Sequence, residues 1–355
     1  MSRFWSDLVK NIEPYVPGEQ PKDKRYIKLN TNENPYPPSP KVIEAIQREA
    51  GEGLRLYPDP NCDGLKAAVA GKYGLESRQV FVGNGSDEVL AFAFMAFFNP
   101  GREIVFPDIT YSFYPVYADL FKLPYRTIPL DEDFNIPEEE FYRDNGGVVL
   151  SNPNAPTAGL LSLGAVARIL EHNEDRVVII DEAYIDFGGE SAIGLINRFP
   201  NLLVVRTFSK SHALAGLRVG FALGQEELIQ GLERVKNSFN SYTLDRLAMA
   251  GAVEAIRDEA YFREITEKIK ATRDRTSKRL EALDFKVLDS KANFLFVSHR
   301  QVEAKVLFQQ LREKGILVRY FNKPKIDNFL RVSIGTDGDM EALVKAAAEI
   351  VEACT

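Results

Sequence analysis

Between residues 79 and 223 the chain alternates short apolar runs with segments of helical periodicity, and this constrains the fold more than any other feature. Residues 80–82, 103–108, 125–129, 147–150, 177–180, 202–205 and 218–223 read as strands. Segments starting near Ser86, at 110–121, near 137–143 and at 163–173 read as the helices between them. Strands that alternate with helices need crossover connections. The pattern therefore predicts an α/β architecture: a mostly parallel sheet covered by helices on both faces, with right-handed connections. The runs VVII and LLVV, at 177–180 and 202–205, have the continuous apolar character of strands buried on both sides.

Before this region, residues 5–12 suit a short amphipathic helix that Pro14 and Pro17 end. A short strand is expected at 26–29 and helices at 40–49 and 65–73. The intervening loops, 29–40 and 55–65, are rich in Asn, Pro and Asp. After it come helices at 225–236, 242–256 and 259–283, interrupted at 237–241 and Asp258. Strands at 285–288, 293–298, 316–319 and 328–334, with helices at 301–314 and 338–352, then read as a smaller α+β domain. With 355 residues, 45% of them apolar, the chain can bury two cores. The expected division is an N-terminal segment, 1–29, packed on the small domain, a large domain at 30–240, and connecting helices with the small domain at 241–355.

Two of the predicted strands end in chemistry. Asp181 closes the run 177–180, and Tyr184 follows three residues on. The run 202–205 leads through Thr207 and Ser209 to Lys210, with Arg218 beyond. In open parallel sheets, ligands bind outside the carboxyl ends of the strands, which is where these residues fall. Pyridoxal phosphate asks for these types: a lysine amine for a Schiff base to its aldehyde, a carboxylate to keep its pyridine nitrogen protonated, a phenol for the ring oxygen, and an arginine fork for the phosphate. Taken singly, each has an ordinary explanation as a cap, a core phenol or a solvated cation. A second place of interest is GNGSDE at 83–88. Glycines at a helix start expose backbone N–H groups to an anion, although a plain junction capped by Ser86 has the same sequence.

The net charge of −7 argues against nucleic acid or an anionic membrane as a general partner. The first fifteen residues lack the basic start and apolar core of a signal peptide, and no apolar run reaches the length of a membrane span. Cys62 and Cys354 make no disulfide framework, so a reducing, cytoplasmic setting is expected. His172, His212 and His299 are scattered, and no metal site is expected.

DEAY at 181–184 and SKSHALAGLRVG at 209–220 resemble the aspartate-aminotransferase superfamily of pyridoxal-phosphate enzymes, fold type I. Further matches resemble its histidinol-phosphate aminotransferase family: PY at 14–15, LNTNENP at 29–35, RLYPD at 55–59, GNGSDE at 83–88, TYSFYPVYA at 110–118, SNPNAPT at 151–157, LVRY at 317–320 and LRVSIGT at 330–336. The resemblance implies a pyridoxal 5′-phosphate enzyme of histidine biosynthesis. Such an enzyme exchanges an amino group between glutamate and imidazole-acetol phosphate in two half-reactions at one site. It implies Lys210 as the Schiff-base lysine, Asp181 at the pyridine nitrogen, Tyr184 at the 3′-oxygen and Tyr111 stacked on the ring. Gly85, Ser86, Asp87, Ser209 and Arg218 would complete the cofactor site. An Asn before Pro-Thr-Gly normally reaches the 3′-oxygen. This chain has Ala155 and Ala158 in place of that Asn and Gly, which leaves Asn154 as the candidate.

For the substrate, the resemblance implies Tyr15, Asn30, Arg319 and Arg331. Arg331 follows the apolar approach FL and precedes VSI, so an inward side chain is expected, and a buried arginine without an anion is costly. The resemblance also implies a homodimer in which Tyr57 reaches the partner's cofactor phosphate. Three rivals share parts of this signature: a lyase of the threonine-phosphate decarboxylase kind, an aminotransferase for aromatic amino acids, and a non-catalytic effector-binding module. The last ranks low, because such modules accompany a DNA-binding segment and the residues before 40 suggest none.

Overall fold

The structure, a computed structural model, describes residues 2–354. Its larger sheet has seven strands in the spatial order Val80–Asn84, Val219–Leu223, Leu202–Thr207, Val178–Asp181, Val148–Ser151, Ile104–Pro107 and Tyr125–Ile128. Val219–Leu223 pairs antiparallel with both its neighbours, and the other pairings are parallel. The reversal follows from the connection. A parallel crossover needs a dozen or more residues, usually a helix, whereas 208–218 hold only the short turn Ala215–Leu217. The central strands are buried along their whole length, as their unbroken apolar runs require. Phe81, Phe94 and Phe106 are fully enclosed on one face of this sheet, each contributing roughly 1.5–3 kcal/mol by leaving water.

A second sheet of four antiparallel strands runs Arg319–Tyr320, Leu330–Ser333, Phe294–His299, Phe285–Val287. It packs with the helices Glu259–Glu281, Ala304–Glu313 and Asp337–Cys354 around a core that includes Phe294, Leu295, Val332 and Leu343. The helix Arg246–Arg257 turns Ala248, Ala252 and Ile256 into the core of the large body, against Pro40–Glu49 and Asp63–Tyr73.

Local departures from the sequence reading have local causes. The helix expected near 137–143 is one 3₁₀ turn, Glu138–Phe141, which buries only Phe141 and stands between Pro137 and the pair Gly146-Gly147. The helix expected to stop at 236 continues to Phe239. The strand expected at 316–319 divides: Ile316–Leu317 pairs in parallel with Ile27–Lys28, whereas Arg319–Tyr320 joins the four-stranded sheet. The helix expected near Ser86 starts at Gly85, so Ser86 lies inside its first turn and is not its cap.

Residues 29–36 thread between the two bodies. Leu29 packs in the small core, while the Asn34 side-chain amide donates to the Lys210 carbonyl at 3.0 Å. That crossing closes a cleft over the strand ends.

Candidate active site

The cleft encloses about 290 Å³, lined by Tyr15, Asn30, Ser86, Asp87, Tyr111, Asp181, Tyr184, Ser209, Lys210, Arg218, Arg319 and Arg331, among others. Twelve of the sequence candidates thus meet in one space, although they come from opposite ends of the chain. The parallel register explains much of this. Ser151 and Asp181 end their strands side by side with Val205, and the strand of Val205 runs on to Thr207 before a short loop to Lys210.

Asp181 is 3% exposed. Its carboxylate accepts a hydrogen bond from the Tyr114 hydroxyl at 2.9 Å and one from the Ala183 N–H at 3.2 Å, both neutral donors. Burial pushes it up to about 6, although these hydrogen bonds pull the other way. A carboxyl so placed favours a cation in the cleft. Below it, Arg206 pairs with Glu182 at 3.3 Å and with Asp186. Ser211 donates to Asp186 at 2.5 Å, so one buried network grips both strand ends and the residue next to Lys210. Lys210 Nζ donates to the Thr31 carbonyl at 3.3 Å and lies 5.7 Å from the centre of the Tyr184 ring.

The helix Gly85–Phe97 aims its N-terminus at the cleft, and its cap residue Asn84 makes no side-chain capping bond. Asp87 accepts from Tyr111 at 2.8 Å and from Arg218 at 3.1 Å, so its carboxylate orients that ring and that guanidinium. Two glycines make the approach possible. A Cβ at Gly85, which has φ +79°, would lie 2.5 Å from Arg218 Nη2, and a Cβ at Gly220 would lie 2.4 Å from the Ser86 nitrogen.

Arg319 and Arg331 are direct cross-strand partners, a like-charge juxtaposition that disfavours the sheet by itself. Arg331 donates to the Asn30 carbonyl at 3.0 Å, while its buried Nε and the Asn30 Oδ1 have no partner. Burial lowers the Arg331 guanidinium below its ordinary range. Arg319 donates to the carbonyls of Val16 and Pro17. Tyr15, Tyr111, Ala155, Arg319 and Arg331 also face an adjoining chamber of about 280 Å³. Its further walls are Ile109, Pro156, Phe321 and Ile326, with Lys323 and Lys325.

Two candidates lie elsewhere. Asn154 does not line the cleft: its amide donates to the Ile109 carbonyl and to Thr157, and its oxygen accepts from Thr110, each at 2.9 Å. Ala155 faces the cleft instead, with a methyl. Tyr57 is 79% exposed and stacks on Tyr242 at 4.7 Å, away from the cleft of its own chain. Sequence reading missed Asn32, Asn34 and Tyr114. A signal for the last was present: Tyr111, Tyr114 and Tyr117 recur every third residue at the start of the helix Phe113–Leu120, and Tyr117 also donates to the Asp87 carbonyl. Among the described residues no cluster of metal-binding side chains is found, and no helix is long and apolar enough to cross a membrane.

A lysine, a buried carboxyl and an open helix N-terminus at the carboxyl rim of this sheet fit the family whose model matches residues 24–347, and the chain belongs to it: the class I and II aminotransferases. Within that class, it is 60% identical to the histidinol-phosphate aminotransferase of Clostridium acetobutylicum over 351 residues, 99% of this chain and 100% of the relative. It is 58% identical to histidinol-phosphate aminotransferase 1 of Oceanobacillus iheyensis over 99% of each. The structure of histidinol-phosphate aminotransferase from Sinorhizobium meliloti in complex with pyridoxal-5′-phosphate has a TM-score of 0.90, covering 100% of this chain and 99% of that one. At 24% identity the match establishes the shared fold.

Proposed function

We propose that this chain is a pyridoxal-phosphate-dependent aminotransferase that exchanges an amino group between histidinol phosphate and 2-oxoglutarate, a step of histidine biosynthesis. The observation that carries the reading is the meeting of Lys210, Asp181 and the pair Arg319/Arg331 in one cleft. The full-length similarity to histidinol-phosphate aminotransferases supports the substrate and favours neither the lyase nor the effector-binding alternative.

The residues present suit the cofactor. The buried carboxyl of Asp181, hydrogen-bonded only by neutral groups, answers a pyridinium. The glycine-lined approach of Arg218 to the helix N-terminus answers a phosphate. When bound, pyridoxal phosphate supplies an aldehyde that captures an amine and a ring that accepts the electron pair released at the substrate's Cα. Asp181 would hold the proton on the ring nitrogen, Tyr184 would donate to the 3′-oxygen, and Tyr111 would cover the ring. The first-turn N–H groups at Ser86 and Asp87, with Ser209 and Arg218, would hold the phosphate. Lys210 would be the amine that holds the aldehyde, and its Nζ would be the group placed to carry the proton that leaves Cα.

On the substrate side, Arg319 and Arg331 offer fixed positive charge to the phosphate of histidinol phosphate and to a carboxylate of glutamate, with Tyr15 and Asn30 adding polar contacts. Borohydride reduction followed by peptide mapping tests the lysine, and a label elsewhere overturns it. Comparing kcat/KM for histidinol phosphate, phenylalanine and threonine phosphate tests the substrate. Histidinol phosphate is expected to lead, and carbon dioxide release from threonine phosphate would favour the lyase.

We further infer a homodimer in which Tyr57 serves the partner's cofactor phosphate. Its exposure, beside exposed Leu54, Leu56 and Tyr242, supports this reading. Mixing Tyr57→Ala and Lys210→Ala chains tests it: hybrid dimers would carry one doubly damaged site and one intact site. No recovery of activity after proven subunit exchange refutes the shared site. A cytoplasmic setting suits the two free cysteines, Cys62 and Cys354.

A further inference from the structure

We propose that Asn32 is a positioning residue that sets the direction of the Tyr184 hydroxyl and thereby tunes the proton affinity of the bound cofactor. The inference rests on the cofactor reading above and concerns a residue that makes no contact required by that reading.

Asn32 is 1% exposed and sits at φ +54°, a left-handed conformation that Asn tolerates better than most residues. Four hydrogen bonds hold it. Its backbone N–H donates to Ser333 Oγ at 2.8 Å, and the Ser333 hydroxyl donates to Asn32 Oδ1 at 2.8 Å. Its carbonyl accepts from Asn293 Nδ2 at 3.1 Å. Its own Nδ2 donates to the Tyr184 hydroxyl oxygen at 3.1 Å. In this arrangement Ser333 Oγ accepts from the Asn32 backbone and gives its own proton to the side-chain oxygen, which turns the amide nitrogen toward Tyr184.

A phenol has one proton. Because Tyr184 accepts from Asn32, its proton is free to point into the cleft. A flipped or missing amide would let that proton turn away. This matters more here than elsewhere, because Asn154 is committed to Ile109, Thr110 and Thr157 and Ala155 offers only a methyl. The hydroxyl of Tyr184 is thus the donor available on that side of the ring. Ser333 closes the strand that carries Arg331 two residues earlier, so the lock also ties this hydroxyl to the sheet that presents the arginines.

A donor at the 3′-oxygen would occupy that oxygen and weaken its hold on the proton it shares with the nitrogen joining Lys210 to the cofactor. Losing the donor strengthens proton binding there. The test is a pH titration of the visible absorption of the loaded protein, free of substrate, for the parent, Asn32→Gly, Tyr184→Phe and the double variant. Glycine suits φ +54° and adds no charge. The expected result is a midpoint raised by at least about half a pH unit in Asn32→Gly, roughly threefold in proton affinity. Tyr184→Phe should raise it further, and Asn32→Gly should add almost nothing in the Tyr184→Phe background. An unchanged midpoint in loaded Asn32→Gly, or an equal shift in both backgrounds, overturns the proposal. If Asn32→Gly does not fold or load, Ser333→Ala, which releases the amide, is read in the same two backgrounds with the same criteria. A parent without a visible band, or a Tyr184→Phe midpoint equal to the parent's, instead overturns the cofactor reading and takes this inference with it.

Discussion

At the rim of the large sheet, the polar groups are held by their own chain. Asp181 receives Tyr114, Asp87 receives Tyr111 and Arg218, Asn34 grips the Lys210 carbonyl, and Arg206 pairs with Glu182 and Asp186. Across the cleft, Arg331 leaves a buried Nε without a partner beside Arg319, its like-charged neighbour. One wall is a preorganised frame, in which a lost group damages chemistry. The other is an unsatisfied surface, for which the proposed function supplies the missing partner as an anion brought by the substrate. The contrast teaches where to look for rate effects and where to look for selectivity.

The largest effect is expected on the satisfied wall. Asp181→Asn should keep the fold and bind cofactor, yet lower turnover by about 10²–10³-fold, in the range found when one preorganised electrostatic contact is removed. Single-turnover rates with glutamate measure this. A variant that keeps most of its turnover would erase the distinction between the two walls.

The same carboxyl sharpens the comparison through pH. Burial raises Asp181 from 3.8 to about 6, so the cofactor-free folded state holds its proton more tightly than the unfolded chain. Between about pH 4 and pH 6 the folded state therefore binds more protons, and its stability falls as pH rises. The contribution present below pH 4 is lost through pH 6, about 3 kcal/mol at about 1.4 kcal/mol per pH unit. Asp181→Asn should flatten this slope, and loading with cofactor should do so as well. Denaturant unfolding of cofactor-free and loaded protein across this range provides the measurement. An identical slope in parent and variant would place the titrating group elsewhere.

On the unsatisfied wall, Arg331→Lys retains charge but loses the planar fork. It should cost about 1.5–3 kcal/mol in kcat/KM for histidinol phosphate, the value of a hydrogen bond to a charged group, and much less for unphosphorylated histidinol. Equal losses for both substrates would make Arg331 a structural residue. The smallest effect is expected at Ala158, which lies at φ +64° with its methyl fully buried. Ala158→Gly relieves a left-handed alanine worth roughly 1–2 kcal/mol, but it loses a buried methyl and gains glycine's chain entropy, together of similar size. The net change in stability should stay within about 1 kcal/mol, with kcat unaltered. A larger gain would mean that the left-handed strain outweighs both opposing effects.

Several features were legible without coordinates because each depends on residues close in sequence. VVII ending in Asp181 and LLVV leading to Lys210 place their functional groups at strand ends through local periodicity alone. Through its own glycine, GNGSDE marks a helix start that Arg218 approaches closely. What escaped notice depends on distant partners. The antiparallel course of Val219–Leu223 is decided by how a short connection returns to the sheet. The diversion of Asn154 is decided by Ile109 and Thr110 on another loop. The commitment of Asn32 is decided by Ser333 and Tyr184, both far along the chain. By itself, the sequence determined that this chain would form an α/β sheet with a lysine and a carboxylate at its rim, since backbone periodicity and strand-end chemistry are properties of short segments. Only the tertiary structure decided which amide faces the cleft and which is consumed beside it. A hydrogen bond is settled by the direction of both its ends, and those ends meet only when the chain has folded.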